Sequence, residues 1–278
     1  MMGQMKYRLA SVGKYLSLIL GVIVAILPIL IVLFASFKTS TEYTSTGVLV
    51  PPHDWTNFEN YKRAFVEGNM LTGFKNTVFI LSISLLGTTL IGAMVAFVLN
   101  RFKFSGSKLI LNLFLLAALV PGVTTQIATF QIVNGLGLFN TIWAAIILYL
   151  GTDIIAVYIF LQFMESIPVS LDESAMLDGA SYFTIFRKII LPLLKPAIVT
   201  VIIIKGVNVY NDFYTPFLYM PKTDLMTIST SLFKFKGPFG SEWEVICAGI
   251  MIAIIPTLIA FLSLQKYIYN GFSNGAVK

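Results

Sequence analysis

Long apolar runs separated by short charged segments dominate the chain, and the run lengths set the elements. Tyr15 to Phe37 holds 23 residues without a charge, enough at about 1.5 Å per residue to cross about 30 Å of hydrocarbon. That run is too long for a cleaved leader, and no small-residue cleavage pattern closes it, so it reads as a first span. Asn76 to Asn100 gives a second. Leu109 to Thr152 is uncharged over 44 residues, about 66 Å as one helix and twice the apolar thickness of a bilayer. It must fold back, and Asn134-Gly135-Leu136-Gly137 is the turn-rich point near its middle. The pattern predicts six helices, at about 15–37, 76–100, 109–133, 141–164, 197–219 and 245–264, with an outer loop over 38–72 and a long polar connector over 165–196. The expected fold is an all-α membrane protein forming a single transmembrane domain over 1–278.

Composition agrees and narrows the chemistry. Of 278 residues 57% are hydrophobic and 12% charged, against about 45–50% and about 25% in soluble domains, and the mean hydropathy is +0.85. One cysteine, Cys247, and one histidine, His53, leave no disulfide framework and no metal-ligand spacing. A histidine-based catalytic triad has only His53 to use, in a loop without a nucleophile motif, and no GxxxxGK[ST] phosphate loop occurs. The chain is therefore expected to have no catalytic residues, to hold no metal and to bind no cofactor of its own.

Lys and Arg set the orientation. With the amino terminus inside, the inner segments carry Lys6, Arg8, Lys14, Arg101, Lys103, Lys108, Arg187, Lys188, Lys195, Lys266 and Lys278 and a net positive charge, while the basic and acidic residues of the outer segments cancel. Both termini are then cytoplasmic. The formal charge of +6 is a topology signal and calls for no nucleic acid.

The connector over 165–196 holds the most specific pattern. Ser170 and Glu173 stand at capping-box spacing, which predicts a helix start. Gly179 closes that helix, because glycine takes the left-handed conformation without penalty. A second helix starts near Ser181, with Phe186, Ile189, Ile190 and Leu193 on one face, and Pro192 and Pro196 end or kink it. Such a helix–turn–helix can lie on lipid headgroups or dock on a protein. Asp172, Glu173 and Asp178 make the first helix acidic, and an anionic inner leaflet repels it, so a basic protein groove suits it better.

At these residues the chain resembles a known family. Glu173-Ser174-Ala175-Met176-Leu177-Asp178-Gly179-Ala180, followed by Phe186, Ile189, Leu191-Pro192 and Pro196, is similar to the signature E-A-A-x-x-D-G-A with F-x-x-I-x-L-P-x-x-x-P of ABC importer permeases. Ser174 replaces the first Ala, a small-for-small change. Pro51, Trp55-Thr56, Asn60-Tyr61 and Asn76 in the outer half, Asn211-Asp212 with Pro216, and the tail Gln265-Lys266-Tyr267 with Gly275-Ala276-Val277-Lys278 resemble the sugar branch that includes the smaller maltose-type subunit. The resemblance implies a six-span type I importer core in a bacterial plasma or inner membrane. It pairs with a second homologous permease, two copies of a cytoplasmic ATPase that binds the ATP and magnesium, and an external sugar-binding protein. It assigns ATPase coupling to Glu173, Ala175, Asp178, Gly179 and Ala180, with Glu173 facing a basic residue and Gly179 making the turn. Coupling then amounts to rigid-body rocking driven through a short helix tied to two spans.

Ionisable groups inside spans are costly and face a bundle interior or a cavity. Counted from the cytoplasmic ends, Asp153 and Lys205 differ in depth by about 4.5 Å, which allows an ion pair between the fourth and fifth spans. Asn208, Asn211, Asp212 and Tyr214 lie together on the fifth. Carboxylate, amide and phenol groups beside aromatic faces suit a sugar path, and interhelical hydrogen bonding suits them equally. At 100° steps Asn208, Asn211 and Asp212 share one side of a continuous helix. Gly92 and Ala96 permit close packing. Pro28, Pro121-Gly122 and Pro256 are expected to interrupt spans, with Pro121-Gly122 as a hinge. Trp55, Phe58, Tyr61 and Phe65 suit the membrane surface or a binding protein.

Other functions are less well matched. A polyol or glycerol phosphate is an alternative cargo. An ion-coupled secondary transporter would leave the acidic helix unexplained, and an intramembrane enzyme lacks a paired constellation in the spans.

Overall fold

The structure is a computed structural model that describes residues 2–102, 104–151, 153–237 and 240–276, with side chains over the part of these from 11 to 265. Lys103, Val277 and Lys278, and the side chains of Lys6, Arg8, Lys266 and Tyr267, lie outside the described residues.

The chain is mostly helical. It opens with α1 (Met2–Phe37), α2 (Ser40–Ser45), α3 (Glu59–Glu67) and α4 (Met70–Arg101). Next come α5 (Ser107–Leu119), α6 (Gly122–Gly135), α7 (Ile142–Leu150) and α8 (Ile154–Met164). The connector forms α9 (Ser170–Leu177), α10 (Tyr182–Ile185), a π-helical turn over Phe186–Ile190 and α11 (Leu191–Leu193). After α12 (Lys195–Asn211), α13 (Tyr214–Tyr219) and α14 (Ile228–Ser231), the short antiparallel strands β1 (Lys236–Gly237) and β2 (Gly240–Ser241) lead into α15 (Trp243–Ala276).

Four stretches are long and apolar enough to cross a membrane: Ser11–Phe37, Met70–Arg101, Ile142–Met164 and Trp243–Gln265. Two bent pairs bring the number to as many as six: α5 with α6 at 101°, and Tyr182–Leu193 with α12 at 72°. The prolines act unequally. α1 and α15 continue as helix through Pro28 and Pro256, so neither interrupts its helix as expected, whereas the chain turns sharply at Pro121-Gly122. Two expected spans are also divided. Helix stops at Leu150 and restarts at Ile154, and Ala197–Tyr219 is not one helix, because α12 ends at Asn211. Pro216 explains the second break. It has no N–H to give the carbonyl of Asp212 and its ring crowds that carbonyl, which instead accepts from Ser229 Oγ at 2.7 Å.

The contacts group into two compact units, Met1–Leu71 with Ser231–Ile255, and Thr72–Thr230 with Pro256–Lys278. In the first, Trp55, Phe58 and Tyr61 pack on the end of α1, while Trp55, Phe58 and Phe65 keep exposed faces. Phe37 lies 5.6, 5.5 and 5.1 Å from the ring centres of Trp55, Phe58 and Tyr61, and Tyr61 OH meets Ser36 Oγ at 2.7 Å. Asn60 donates to the Ser36 and Lys38 carbonyls at 3.0 and 2.8 Å. The buried Lys38 ammonium donates to Thr46 Oγ1 and the Gly47 carbonyl, and Arg63 reaches Glu242 at 2.6 Å.

In the second unit, the carboxyl-terminal half of α4 packs on α8 and on the connector. Ala93, Ala96 and Phe97 are buried with Phe160, Ile185 and Ile190. Gly92 allows the close approach, since a Cβ at that position would stand 3.2 Å from the Phe160 ring, tighter than ordinary contact. Toward the other end of α4, Asn76 donates to the Asp224 and Met226 carbonyls, both at 2.9 Å, and Thr77 Oγ1 accepts from the Ile228 N–H.

Candidate functional site

The connector begins where α8 stops, and its first helix is held by backbone geometry. The expected capping box does not form. Val169 is the N-cap and makes no side-chain bond, and Ser170 lies inside α9. The N–H groups of Asp172 and Glu173, the donors that a Ser170 cap would serve, already bond to the Val169 carbonyl at 2.9 and 3.1 Å.

The far end explains the spacing of the motif. The Ala180 N–H bonds to the Ala175 carbonyl at 2.9 Å and the Gly179 N–H to the Met176 carbonyl at 3.0 Å, the paired closure of a Schellman motif. That closure needs a left-handed residue, and Gly179 has φ of +81°. The small side chains of Ala175 and Ala180 both pack against the core shared with α4 and α8. Ser181 then caps α10, accepting from the Thr184 N–H at 3.3 Å. Asp178 ends α9, exposed like Glu173, and Leu177 beside it is 90% exposed.

The acidic face divides. Asp172, expected to present outward with its neighbours, is only 3% exposed. Its Oδ2 lies 2.7 Å from Arg101 Nε, while the same guanidinium donates to the Ile167 carbonyl at 3.0 Å and to Asn100 Oδ1 at 2.8 Å. Asp172 Oδ1 is buried and, among the described residues, has no hydrogen-bond partner. An acid in a first helical turn is already favoured by the helix dipole, and burial against an arginine is the stronger contact. Sequence reading assigned Arg101 only a topological role. It missed the pair because no periodicity links two positions 71 residues apart.

Within the spans, Lys205 Nζ meets Asp153 Oδ2 at 2.9 Å, both side chains 16% exposed. Asp153 Oδ1 caps α8, accepting from the Ala156 N–H at 3.1 Å. Asn208, one turn beyond Lys205, lines the same small recess. The stripe expected over 208–214 is not continuous, because α12 ends at Asn211 and the 100° step ends with it. Asp212 is half-buried, accepting from Tyr149 OH at 2.9 Å and from the Thr215 N–H at 3.1 Å. Asn208, Asn211 and Tyr214 remain exposed. Tyr149 and Ser229 are the partners that sequence reading did not find.

Apolar helices broken in mid-course, with an ion pair inside them and a helical connector between two of the breaks, are the architecture of a multi-pass membrane protein. The sequence pattern of the binding-protein-dependent transport system inner membrane component family matches residues 88–273, and the chain belongs to that family. It is 32% identical over 285 residues to the galactooligosaccharides transport system permease protein GanQ of Bacillus subtilis, covering 100% of each chain. To the arabinooligosaccharides transport system permease protein AraQ of Halalkalibacterium halodurans it is 30% identical over 257 residues, 92% of each. Its fold matches a crystal structure of a bacterial ABC transporter involved in the import of the acidic polysaccharide alginate, with a TM-score of 0.83 over 94% of this chain and 96% of that one at 21% identity.

Proposed function

We propose that this chain is the membrane-spanning, non-catalytic permease subunit of an ATP-driven importer, and that its cargo is a sugar, most consistent with an oligosaccharide. The cargo reading is supported by the transport systems in which GanQ and AraQ are named. In this reading residues 1–278 form one transmembrane domain of six spans, with α5 and α6 together counted as one span and α12 with α13 as another. Both termini and the connector over 165–196 face the cytoplasm. A second homologous permease completes the pathway, and an external binding protein delivers the sugar. Two copies of a cytoplasmic ATPase hold all the ATP and magnesium, and this chain holds no cofactor.

The observation that carries the proposal is the shape of α9. A Schellman-closed helix of fixed geometry presents an acid, Glu173, and a bare leucine, Leu177, to a partner. A rigid element can transmit a partner's closure, while a flexible loop would absorb it. Glu173, Ala175, Asp178, Gly179 and Ala180 form this coupling tip. Asn208, Asn211, Asp212 and Tyr214 border the sugar path, with the second permease supplying the facing wall. Asp153 and Lys205 serve as a structural pair.

The test is Glu173→Lys in the assembled transporter. Charge reversal at the tip is expected to reduce ATPase co-purification and sugar uptake together, by tenfold or more if about 1.4 kcal/mol of docking energy is lost. Unchanged association with unchanged uptake would refute the coupling role.

A further inference from the structure

Taking the coupling function of α9 as proposed above, we infer that Arg101 is a positioning residue, which pins the coupling helix to the end of α4 and so passes the partner's stroke to a third span. The two spans joined by covalent connection to the element are α8 and α12. α4 has no such connection, since Arg101 and Asp172 are 71 positions apart in the chain.

Arg101 is the last residue of α4. Its guanidinium holds two points of the connector at once: the Ile167 carbonyl at 3.0 Å, in the turn before the helix, and Asp172 Oδ2 at 2.7 Å, in the first turn of the helix. The Asp172 contact is an ion pair, since Arg101 Nε makes no hydrogen bond among the described residues, and the hydrogen bonds from the other two nitrogens orient the planar guanidinium over the carboxylate, which the single point charge of a lysine ammonium would not reproduce. Asn100 Oδ1 takes a second N–H at 2.8 Å and so fixes the arginine from its own helix.

Rings support the pin. Phe97 and Phe102, on either side of Arg101, lie 5.4 Å from Phe186 and 4.8 Å from Tyr182, so α4 grips the second half of the connector with aromatic faces and the first half with charge. Asp172 Oδ1 is buried without a hydrogen-bond partner among the described residues, which leaves Arg101 as the group that balances this carboxylate. Removing the arginine would leave that charge buried and unpaired, and the helix start would have to swing outward to hydrate it. Glu173 and Leu177, the exposed tip proposed to dock the ATPase, keep their own side chains in the variant.

The experiment measures ATPase association, ATP hydrolysis and sugar uptake on the assembled transporter carrying Arg101→Ala, Arg101→Lys, and the exchange Arg101→Asp with Asp172→Arg. Arg101→Ala is expected to keep ATPase association within about twofold and to lower sugar carried per ATP hydrolysed by tenfold or more. Arg101→Lys should fall between it and the wild type, and the exchange should recover part of the loss. A merely stabilising contact would change the amount of complex and not the ratio of uptake to hydrolysis. Wild-type uptake per ATP in Arg101→Ala overturns the inference. If Arg101→Ala does not assemble, a wild-type ratio in Arg101→Lys overturns it equally. Failure of the docking reading is separate: an unaffected Glu173→Lys alongside an uncoupled Arg101→Ala would remove the docking site and keep the pin.

Discussion

Asp153 and Asp212 divide their carboxylates in the same way across two facing helix breaks. Each accepts at Oδ1 from a backbone N–H three residues on, Ala156 at 3.1 Å and Thr215 at 3.1 Å, and each meets at Oδ2 a side chain of the other span, Lys205 and Tyr149, both at 2.9 Å. A helix restarting within hydrocarbon exposes N–H groups that no water can satisfy, so an acidic residue is useful at each restart, and its charge must then be balanced from a neighbour. The two spans that border the connector are thus broken and tied by one arrangement used reciprocally.

Neutralising one partner of the Asp153–Lys205 pair is expected to cost on the order of 3 kcal/mol, because the other charge stays largely buried. Lys205→Met should lower thermal stability in detergent markedly, and Asp153→Asn somewhat less, since an amide oxygen still caps Ala156. The double variant should recover much of the loss. Equal stability for Lys205→Met and wild type would show that water already reaches the pair.

Gly179 carries a backbone requirement only. Its φ is +81°, and a Cβ there would meet nothing within 4 Å. Gly179→Ala and Gly179→Val are therefore expected to cost about 1–2 kcal/mol of local closure through conformation alone. Gly179→Asn should cost much less, since asparagine tolerates the left-handed region. Sugar uptake across the three substitutions should follow that order. If valine and asparagine were equally harmful, crowding by a docked partner, and not φ, would be the cause.

How much was legible followed from the range of each interaction. The run lengths showed the apolar helices because hydrocarbon thickness is a one-dimensional constraint, and the glycine of the connector was readable because its conformation is local. The meeting of Asp153 with Lys205 followed from depth counted along two spans. The breaks after Leu150 and after Asn211 were not legible: a long apolar run reads as one helix, and that the Asp212 carbonyl, denied a partner by Pro216, turns to Ser229 is set by tertiary packing. Ser170 and Glu173 had the right spacing for a box, but carbonyls in the preceding turn had already taken the donors. Arg101 with Asp172 was beyond reach, because tertiary packing alone brings them together.

Gly92 sets the approach of α4 to α8. A Cβ there would stand 3.2 and 3.3 Å from two atoms of the Phe160 ring, and Phe160 is fully buried, so the ring has little room to retreat. Gly92→Ala is expected to destabilise by about 1–3 kcal/mol through overpacking, and Gly92→Ala with Phe160→Leu to regain part of it. The unfolding midpoints of the two variants decide this. A wild-type midpoint for Gly92→Ala would mean that the helices shift apart freely.

The residues proposed to border the cargo path differ in how far the protein uses them for itself. Asp212 is committed to Tyr149 and Thr215, so Asp212→Asn and Tyr149→Phe should each cost about 1 kcal/mol as a lost or weakened hydrogen bond. Being on one bond, the two losses should not add. Uptake by Tyr149→Phe should fall only as the amount of complex falls, whereas Asp212→Asn, at the proposed path itself, should lower it further. Asn211 is exposed at the end of α12, and no hydrogen bond to its side chain is found among the described residues. A bare amide in a span has value only against a polar wall or a hydroxylated ligand. Asn211→Leu is therefore expected to leave stability and ATPase association unchanged and to lower sugar uptake several-fold, read in proteoliposomes containing the full transporter. Wild-type uptake by Asn211→Leu, with reduced uptake by Asp212→Asn at equal complex, would place the path on the buried carboxylate and remove Asn211 from it.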